Sequence, residues 1–117
     1  MLKQRLERIN AELRHEISDI INYTIKDPRV KGMVSVISVD TDNDLYKSDV
    51  YISILAENEV KRTTFKALKD CEGFVRKQVA SRVQLRNTPI INFKLDKSTE
   101  YTQEIEDLLS QIKTDED

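Results

Sequence analysis

The spacing of apolar residues switches along this chain between helical and extended patterns, and the order of these patterns restricts the possible folds. Before Pro28, apolar residues recur at steps of three and four, which is the spacing of one face of an amphipathic helix. We expect this helix to end near Asp27, because a proline disfavours the helical conformation in the residue before it. The apolar face consists of Leu2, Leu6, Ile9, Leu13, Ile17, Ile20 and Ile21.

Two strands are predicted after this helix. Val34–Asp40 is short and rich in β-branched residues, and Lys47–Ala56 alternates between two sets of side chains. The sequence Thr-Asp-Asn-Asp at 41–44 is typical of a turn, so the two strands are predicted to pair as an antiparallel hairpin. The alternation slips between Val36 and Ile37, which indicates either a bulge or a strand that is buried on both faces.

Helical spacing returns after Asn58. Apolar residues at steps of three run to Cys71, and a valine stripe at steps of four then runs from Val75 towards a helix end at about Arg86. Gly73 stands between the two stripes, and a glycine inside a helix costs about 1 kcal/mol relative to alanine. Two helices that meet at a kink are therefore favoured over one straight helix.

A third strand and a last helix complete the predicted elements. The strand begins at Thr88-Pro89 and has Ile91, Phe93 and Leu95 on one face. Helical spacing recurs in the final segment, at Ile105, Leu108, Leu109 and Ile112. The order α-β-β-α-α-β, with an added C-terminal helix, predicts a two-layer α+β domain in which helices cover one face of a three-stranded sheet.

Composition excludes several classes of site. The chain has 117 residues, enough for one domain, and its two glycines, Gly32 and Gly73, lie far apart. A phosphate-binding P-loop, a dinucleotide-binding turn and a nucleophile elbow all need clustered glycines. One cysteine and one histidine cannot form a structural zinc site, and no disulfide can close within the chain. Without an apolar run of about 18 residues, we expect a cytoplasmic protein with no membrane partner.

Reactive side chains give little indication of catalysis. His15 lies off the apolar face of the first helix and has no evident catalytic partner. Cys71 continues an apolar stripe, which favours a small buried residue over a reactive thiol. The run Asp42–Asp44 lacks the glycine and the glutamate of a calcium loop. We therefore expect no catalytic residues, no metal and no cofactor.

Charge is segregated along the chain, although the net charge is only −2. The segment from Lys61 to Lys97 carries ten basic and three acidic residues. Residues 98–117 carry seven acidic residues and one basic residue, and residues 32–60 are also acidic. A basic segment of this kind can bind a polyanion by releasing counterions from phosphates. A solvated helix face is the simpler interpretation of the charge taken alone.

The element order resembles that of the type II KH fold, a module that clamps nucleotides with a GxxG loop between paired helices. This chain lacks GxxG and has Cys71-Glu72-Gly73 at the corresponding place. A kinked helix pair with an Ala-x-Gly motif there is typical of the ribosome-binding factor A family, which the chain resembles over nearly its whole length. Cys71 departs from the usual alanine, and the acidic C-terminal tail has no role that the resemblance implies.

Short motifs, in the right order and spacing, carry the resemblance. They are Arg5, Arg8, Ile25–Val30, Asp44-Leu45, Val50–Ser53, Gly73–Arg76, Leu85-Arg86, Pro89, Phe93, Asp96 and Ser98. The family is one of bacterial assembly factors without catalytic activity or cofactor. The resemblance implies binding to the immature 30S subunit, assistance in 5′-end processing and maturation of 16S rRNA, departure before translation, and a link to growth in the cold.

The same resemblance implies a division of the chain. Residues 1–97 would form the KH-like RNA-binding domain, and residues 98–117 the C-terminal amphipathic helix and acidic tail. We expect a monomer whose partners are the 30S subunit and its 16S rRNA, with no small-molecule substrate. The alternative is a KH-like protein-interaction module, in which the acidic second strand or the last helix docks a protein without direct RNA contact.

Ten basic residues are candidates for contacts with RNA phosphates, and Gly73 at the kink would let the RNA backbone approach the protein backbone. For Arg82 and Arg86 a second interpretation remains open, because they project beside the valine stripe and could hold the fold together. Arg29, just after Pro28, could equally pair with Asp27 or Asp96 instead of contacting RNA. The ten candidates are Arg5, Arg8, Lys61, Arg62, Lys66, Lys69, Arg76, Lys77, Arg82 and Arg86.

Overall fold

The computed structural model describes residues 2–96 and confirms the predicted α-β-β-α-α-β order. The predicted C-terminal helix lies outside the described residues. The elements are α1 (Leu2–Asp19), continued by a π-helical turn (Ile20–Thr24), β1 (Met33–Thr41), β2 (Lys47–Leu55), α2 (Asn58–Asp70), α3 (Glu72–Arg82) and β3 (Ile90–Leu95).

The three strands form one sheet in the order β1-β2-β3. β1 and β2 pair antiparallel, as the hairpin prediction requires, whereas β3 runs parallel to β2. A parallel pair needs a crossover connection, and α2 and α3 supply it. The register of the hairpin shifts between Val36 and Ser38, and Ile37 is exposed, so the slip in the sequence pattern marks a β-bulge.

The helices cover one face of this sheet and enclose the core. Val50, Ile52 and Ile54 of β2 point into it, together with Phe93 of β3. From the helical layer, α1 and α3 bring fully buried side chains to the same core, among them Leu13, Ile17, Val75 and Val79. This is the predicted two-layer α+β arrangement, and it leaves the outer side of each helix free to face solvent.

Two helices end earlier than their apolar spacing predicts. The α-helical part of α1 stops at Asp19, and the next turn widens, because the Ile25 N–H donates to the Ile20 carbonyl at 2.9 Å. α3 ends at Arg82 rather than near Arg86, because Val83 is extended at φ −121° and ψ 120°. Val83 is nevertheless buried, so an extended residue continues the stripe that the helix began.

The segment between α1 and β1 is fastened to α2. Arg29 pairs with the predicted partner Asp27 at 2.8 Å and also with Asp70 at 3.1 Å. Hydrogen bonds from Arg29 hold the pKa of the Asp27 carboxyl below its usual range. The buried Thr64 hydroxyl accepts the Lys31 N–H at 3.1 Å and lies within hydrogen-bonding distance of the Arg29 and Lys31 carbonyls. These contacts orient α2 and, through it, the kink.

Candidate nucleic-acid interface

The predicted kink is centred on Cys71, the single residue between α2 and α3. Its backbone has φ −90° and ψ 2°, and its N–H is shared between the carbonyls of Ala67 and Leu68 at 3.0 and 3.1 Å. The Val75 N–H then donates to the Cys71 carbonyl at 2.9 Å and begins the next helical turn. A single residue outside the helical conformation therefore separates the two helices, which together carry the basic segment.

Gly73 is exposed in the first turn of α3, and the fold does not require a glycine there. A Cβ built on Gly73 would meet nothing within 4 Å, and the residue has no left-handed backbone conformation. Gly32 is different, because it has φ +78° and a Cβ there would lie 2.9 Å from the Leu55 carbonyl oxygen. The missing side chain at Gly73 thus leaves the backbone of the kink open from the outside.

The four predicted contact residues of α2 divide into two groups. Arg62 and Lys66, one turn apart, are exposed, and their side chains make no hydrogen bond or ion pair with any other described residue. Lys61 is half-buried. Lys69 is engaged, since its Nζ donates to the Asn92 Oδ1 at 2.9 Å and pairs with the Glu72 carboxylate, also at 2.9 Å.

A clamp formed by Lys69 and Glu72 holds the free edge of β3. The Glu72 carboxylate accepts the Phe93 N–H at 2.8 Å, and the Lys69 ammonium donates to the Phe93 carbonyl at 3.3 Å. The backbone groups of Phe93 that face away from β2 are therefore satisfied by the kink itself. Lys69 therefore holds β3 through hydrogen bonds, although its charge remains partly exposed.

The basic residues of α3 also differ in their contacts. Lys77 is exposed, one turn after Gly73, and its side chain has no bonding partner among the described residues. Arg76 is exposed too, but its guanidinium donates to the Thr88 carbonyl at 3.1 and 3.3 Å. Arg82 pairs with Asp19 at 2.7 Å and Glu16 at 3.5 Å, and these contacts hold α3 against α1. It therefore has the fold-holding role that the second interpretation described.

Three predicted contact residues lie away from the helix pair. Arg5 and Arg8 are exposed on α1, and Arg86 is exposed in the segment that follows α3. Arg5 and Arg86 line a common pocket beside the β1–β2 turn. The structure thus brings these two arginines together, although 80 residues separate them in the sequence.

The acidic residues beside the kink are neutralised by local partners. Asp70 pairs with Arg29 at 3.1 Å, and Glu72 pairs with Lys69 at 2.9 Å. The exposed cations of α2 and α3 consequently face solvent without competition from these two carboxylates. We call Arg62, Lys66, Arg76 and Lys77 the basic helix-pair surface.

The surroundings of the Cys71 thiol disfavour its thiolate form. Cys71 is half-buried, and burial, with a smaller contribution from the charge of Asp27, raises the pKa of the thiol. Because the thiolate is the reactive form, this environment favours the structural interpretation of Cys71. Within residues 2–96, no three His, Cys, Asp or Glu side chains are placed to hold a metal ion.

None of the helices in the described part of the chain has the length and apolar character needed to cross a membrane.

Comparison with known proteins decides the family. The family model described as ribosome-binding factor A matches residues 5–109. The chain belongs to the ribosome-binding factor A family. The ribosome-binding factor A of Clostridium novyi is 50% identical over 113 residues, which cover 97% of this chain and 93% of that protein. The Clostridium botulinum (strain Okra) factor is 45% identical over 116 residues, 99% and 97% of the two chains.

Solved structures of ribosome-binding factor A share the fold. The Thermotoga maritima solution structure of a putative member superimposes with a TM-score of 0.60 at 30% identity, covering 74% of this chain and 85% of that one. The Thermus thermophilus crystal structure gives a TM-score of 0.67 at 24% identity, over 77% and 94% of the two chains. A Thermus thermophilus ribosome-binding factor A model fitted into a cryo-EM map of a 30S complex superimposes with a TM-score of 0.61 at 25% identity. The match covers 75% of this chain and 91% of that one.

Proposed function

We propose that this protein binds the 30S ribosomal subunit and that its basic helix-pair surface contacts phosphates of 16S rRNA. The observation that carries the proposal is the set of exposed cations on α2 and α3 beside acids that already have partners. Lys and Arg side chains placed in this way bind an RNA backbone by its shape and charge. A fitted 30S complex of the related Thermus thermophilus protein supports the choice of partner.

In this role the protein acts as an assembly factor rather than an enzyme. It associates as a monomer with immature 30S subunits in the cytoplasm, assists 5′-end processing and maturation of 16S rRNA, and departs before translation. Residues 1–97 supply the RNA-binding domain. The clamp at Phe93 supports binding to the RNA backbone rather than to its bases. The β3 edge at this residue is already bonded to Glu72 and Lys69, so it has no free backbone groups for base edges.

The alternative, a module that docks a protein through an acidic second strand, has weaker support. Asp49 is the acidic residue of β2, and it lies 3.5 Å from the Lys47 ammonium and 3.4 Å from that of Lys94. A hydrogen bond from Asn92, with smaller contributions from the two lysines, keeps the pKa of the Asp49 carboxyl low. β2 therefore presents a carboxylate with bound partners rather than an acidic patch.

Sedimentation in a bacterial lysate gradient tests the proposal. We expect the tagged protein to migrate with free 30S subunits at low salt and to move towards the top at high salt, because phosphate contacts weaken as salt rises. Ribonuclease digestion should also release it. Migration at the top of the gradient in both salts, or association that survives digestion of the RNA, would contradict direct RNA binding.

Gly73→Ala separates binding from folding. The added methyl group has open space and a helical backbone, so we expect the free energy of unfolding to rise by up to about 1 kcal/mol. Association with 30S subunits should weaken, because the methyl group stands where the RNA backbone approaches. Urea denaturation and gradient sedimentation measure the two effects. The matched control is Ala80→Gly, an exposed change on α3 that should lower stability and leave binding intact. Unchanged binding by Gly73→Ala would show that Gly73 is not part of the interface with RNA.

A further inference from the structure

A small pocket lies apart from the basic helix-pair surface, between the start of α1, the β1–β2 turn and the segment after α3. Its volume is about 160 Å³. Pockets for whole small-molecule ligands usually have about 300–1,000 Å³, so this one has room for a single ring system. No residue of the basic helix-pair surface lines it.

The pocket combines an apolar floor with a cationic rim. Ile9 and Leu45 are buried and Leu6 is half-buried, so the apolar lining lies deepest. Arg5 and Arg86 are exposed and line the pocket from two different segments. An inorganic anion would gain nothing from the apolar floor, and an uncharged apolar ligand would gain little from two arginines. A nucleotide has both parts, a flat ring and a phosphate.

The β1–β2 turn adds groups that can recognise the edge of a base. Asn43 and Asp44 line the pocket and are exposed. The Tyr46 N–H donates to the Asp44 Oδ1 at 3.3 Å, which orients the carboxylate. An ionised carboxylate only accepts hydrogen bonds, so it favours a base that carries an amino donor. The same charge repels a phosphate and directs it towards the arginines.

Leu45 occupies an unusual backbone conformation at this turn. Its φ is +59°, in the left-handed region that glycine or asparagine adopts more readily than leucine. The side chain is nevertheless buried and forms part of the pocket floor. A turn built only to reverse the chain would not need a leucine here, and strain of this kind often accompanies a binding site.

We infer, building on the proposed function, that this pocket receives the base of one unpaired RNA nucleotide with its phosphate against Arg5 and Arg86. Sequence-specific RNA recognition usually takes such unstacked bases from single-stranded loops or ends. The favoured bases are guanine, adenine and cytosine, which carry an exocyclic amino group, over uracil, which does not. The pocket would thereby add base recognition to the phosphate contacts of the helix pair.

Nuclear magnetic resonance titration of the full chain tests the inference without ribosomes. The probes are the four ribonucleoside 5′-monophosphates, with ribose 5-phosphate as the probe that lacks a base. We expect the amide signals of Leu6, Asn43 and Leu45 to shift. UMP should bind at least threefold more weakly than the best amino-bearing nucleotide, and ribose 5-phosphate should bind at least tenfold more weakly. Equal binding of ribose 5-phosphate and the nucleotides, or shifts confined to α2 and α3, would overturn base recognition.

Variants distinguish nucleotide binding in the pocket from general attraction to positive charge. The double variant Arg5→Gln, Arg86→Gln should bind the best nucleotide at least tenfold more weakly, and both residues are exposed, so the fold should persist. Arg14→Gln, an exposed change on the same helix outside the pocket, is the control and should stay within twofold. Equal losses in the control and the double variant would contradict the site.

The two proposals can fail independently. Nucleotide binding at the pocket by a protein that does not sediment with 30S subunits would overturn the proposed function alone. Sedimentation with 30S subunits by a protein whose pocket signals do not respond to any nucleotide would overturn the base pocket alone.

Discussion

Replacement of Arg62, Lys66 and Lys77 by glutamate is expected to abolish association with 30S subunits and to leave the melting temperature nearly unchanged. These side chains are exposed and bond to no other described residue, so each substitution should change the free energy of unfolding by no more than about 0.5 kcal/mol. Each cation that contacts a phosphate contributes about one unit to the salt slope of binding. Loss and reversal of three such charges should weaken binding at least ~100-fold at moderate salt.

A second triple variant controls for net charge. Arg14, Lys26 and Lys31 are exposed, lie outside α2 and α3, and when replaced by glutamate change the net charge by the same amount. We expect this variant to keep most of its affinity, with a small loss from reduced long-range attraction. Gradient sedimentation at several salt concentrations gives both the affinity and the salt slope. Equal losses of affinity in the two triple variants would show that binding depends on net charge and not on the basic helix-pair surface.

Arg82→Glu is expected to destabilise the fold by about 2–3 kcal/mol, out of the 5–15 kcal/mol typical of a domain. The arginine is half-buried and bonds to Asp19, Glu16 and the Thr24 hydroxyl, the last at 3.0 Å. The substitution removes these bonds and places a third carboxylate beside two others. Urea denaturation measures the loss, and Lys77→Glu on the same helix should change stability by no more than about 0.5 kcal/mol.

A charge swap distinguishes the ion pair from other causes of instability. Asp19→Arg combined with Arg82→Glu should recover part of the stability that Arg82→Glu loses, because the pair is restored with opposite polarity. A wild-type unfolding curve for Arg82→Glu would show that the contacts with α1 contribute nothing. Because a loss of about 2–3 kcal/mol leaves a typical domain mostly folded, ribosome association that persists in the destabilised variant would assign Arg82 to the fold rather than to a phosphate contact.

Several features of the fold could be predicted from short stretches of sequence. The helical spacing before Pro28 and the alternation in Lys47–Ala56 each depend on a few neighbouring residues, and each corresponds to an observed element. The break expected from Gly73 falls two residues earlier, at Cys71, and Gly73 itself lies in the first turn of α3. The bulge at Ile37 was visible as a slip in alternation, although the sequence left a fully buried strand as the other possibility. The apolar spacing predicted a helix to about Arg86, but the helix ends at Arg82. Val83 is extended and occupies the position that a further helical turn would have filled.

The candidate interface was predictable only as a set of charges. The Lys69–Glu72 pair has helical i, i+3 spacing, which a search for local ion pairs would have found, but its bonds to Phe93 were not visible. Arg82 and Lys77 have the same charge and lie on the same helix, yet one is bonded to α1 and the other faces solvent.

The sequence by itself determined the order of the elements, the place of the kink and the basic segment that carries it, because local periodicity and composition encode these features directly. Only the tertiary structure decided that Arg82 bonds to Asp19, that Lys69 holds β3, and that Arg5 and Arg86 line one pocket beside the β1–β2 turn. These contacts join residues far apart in the chain. Their geometry depends on how the helical layer packs on the sheet, which no local pattern records.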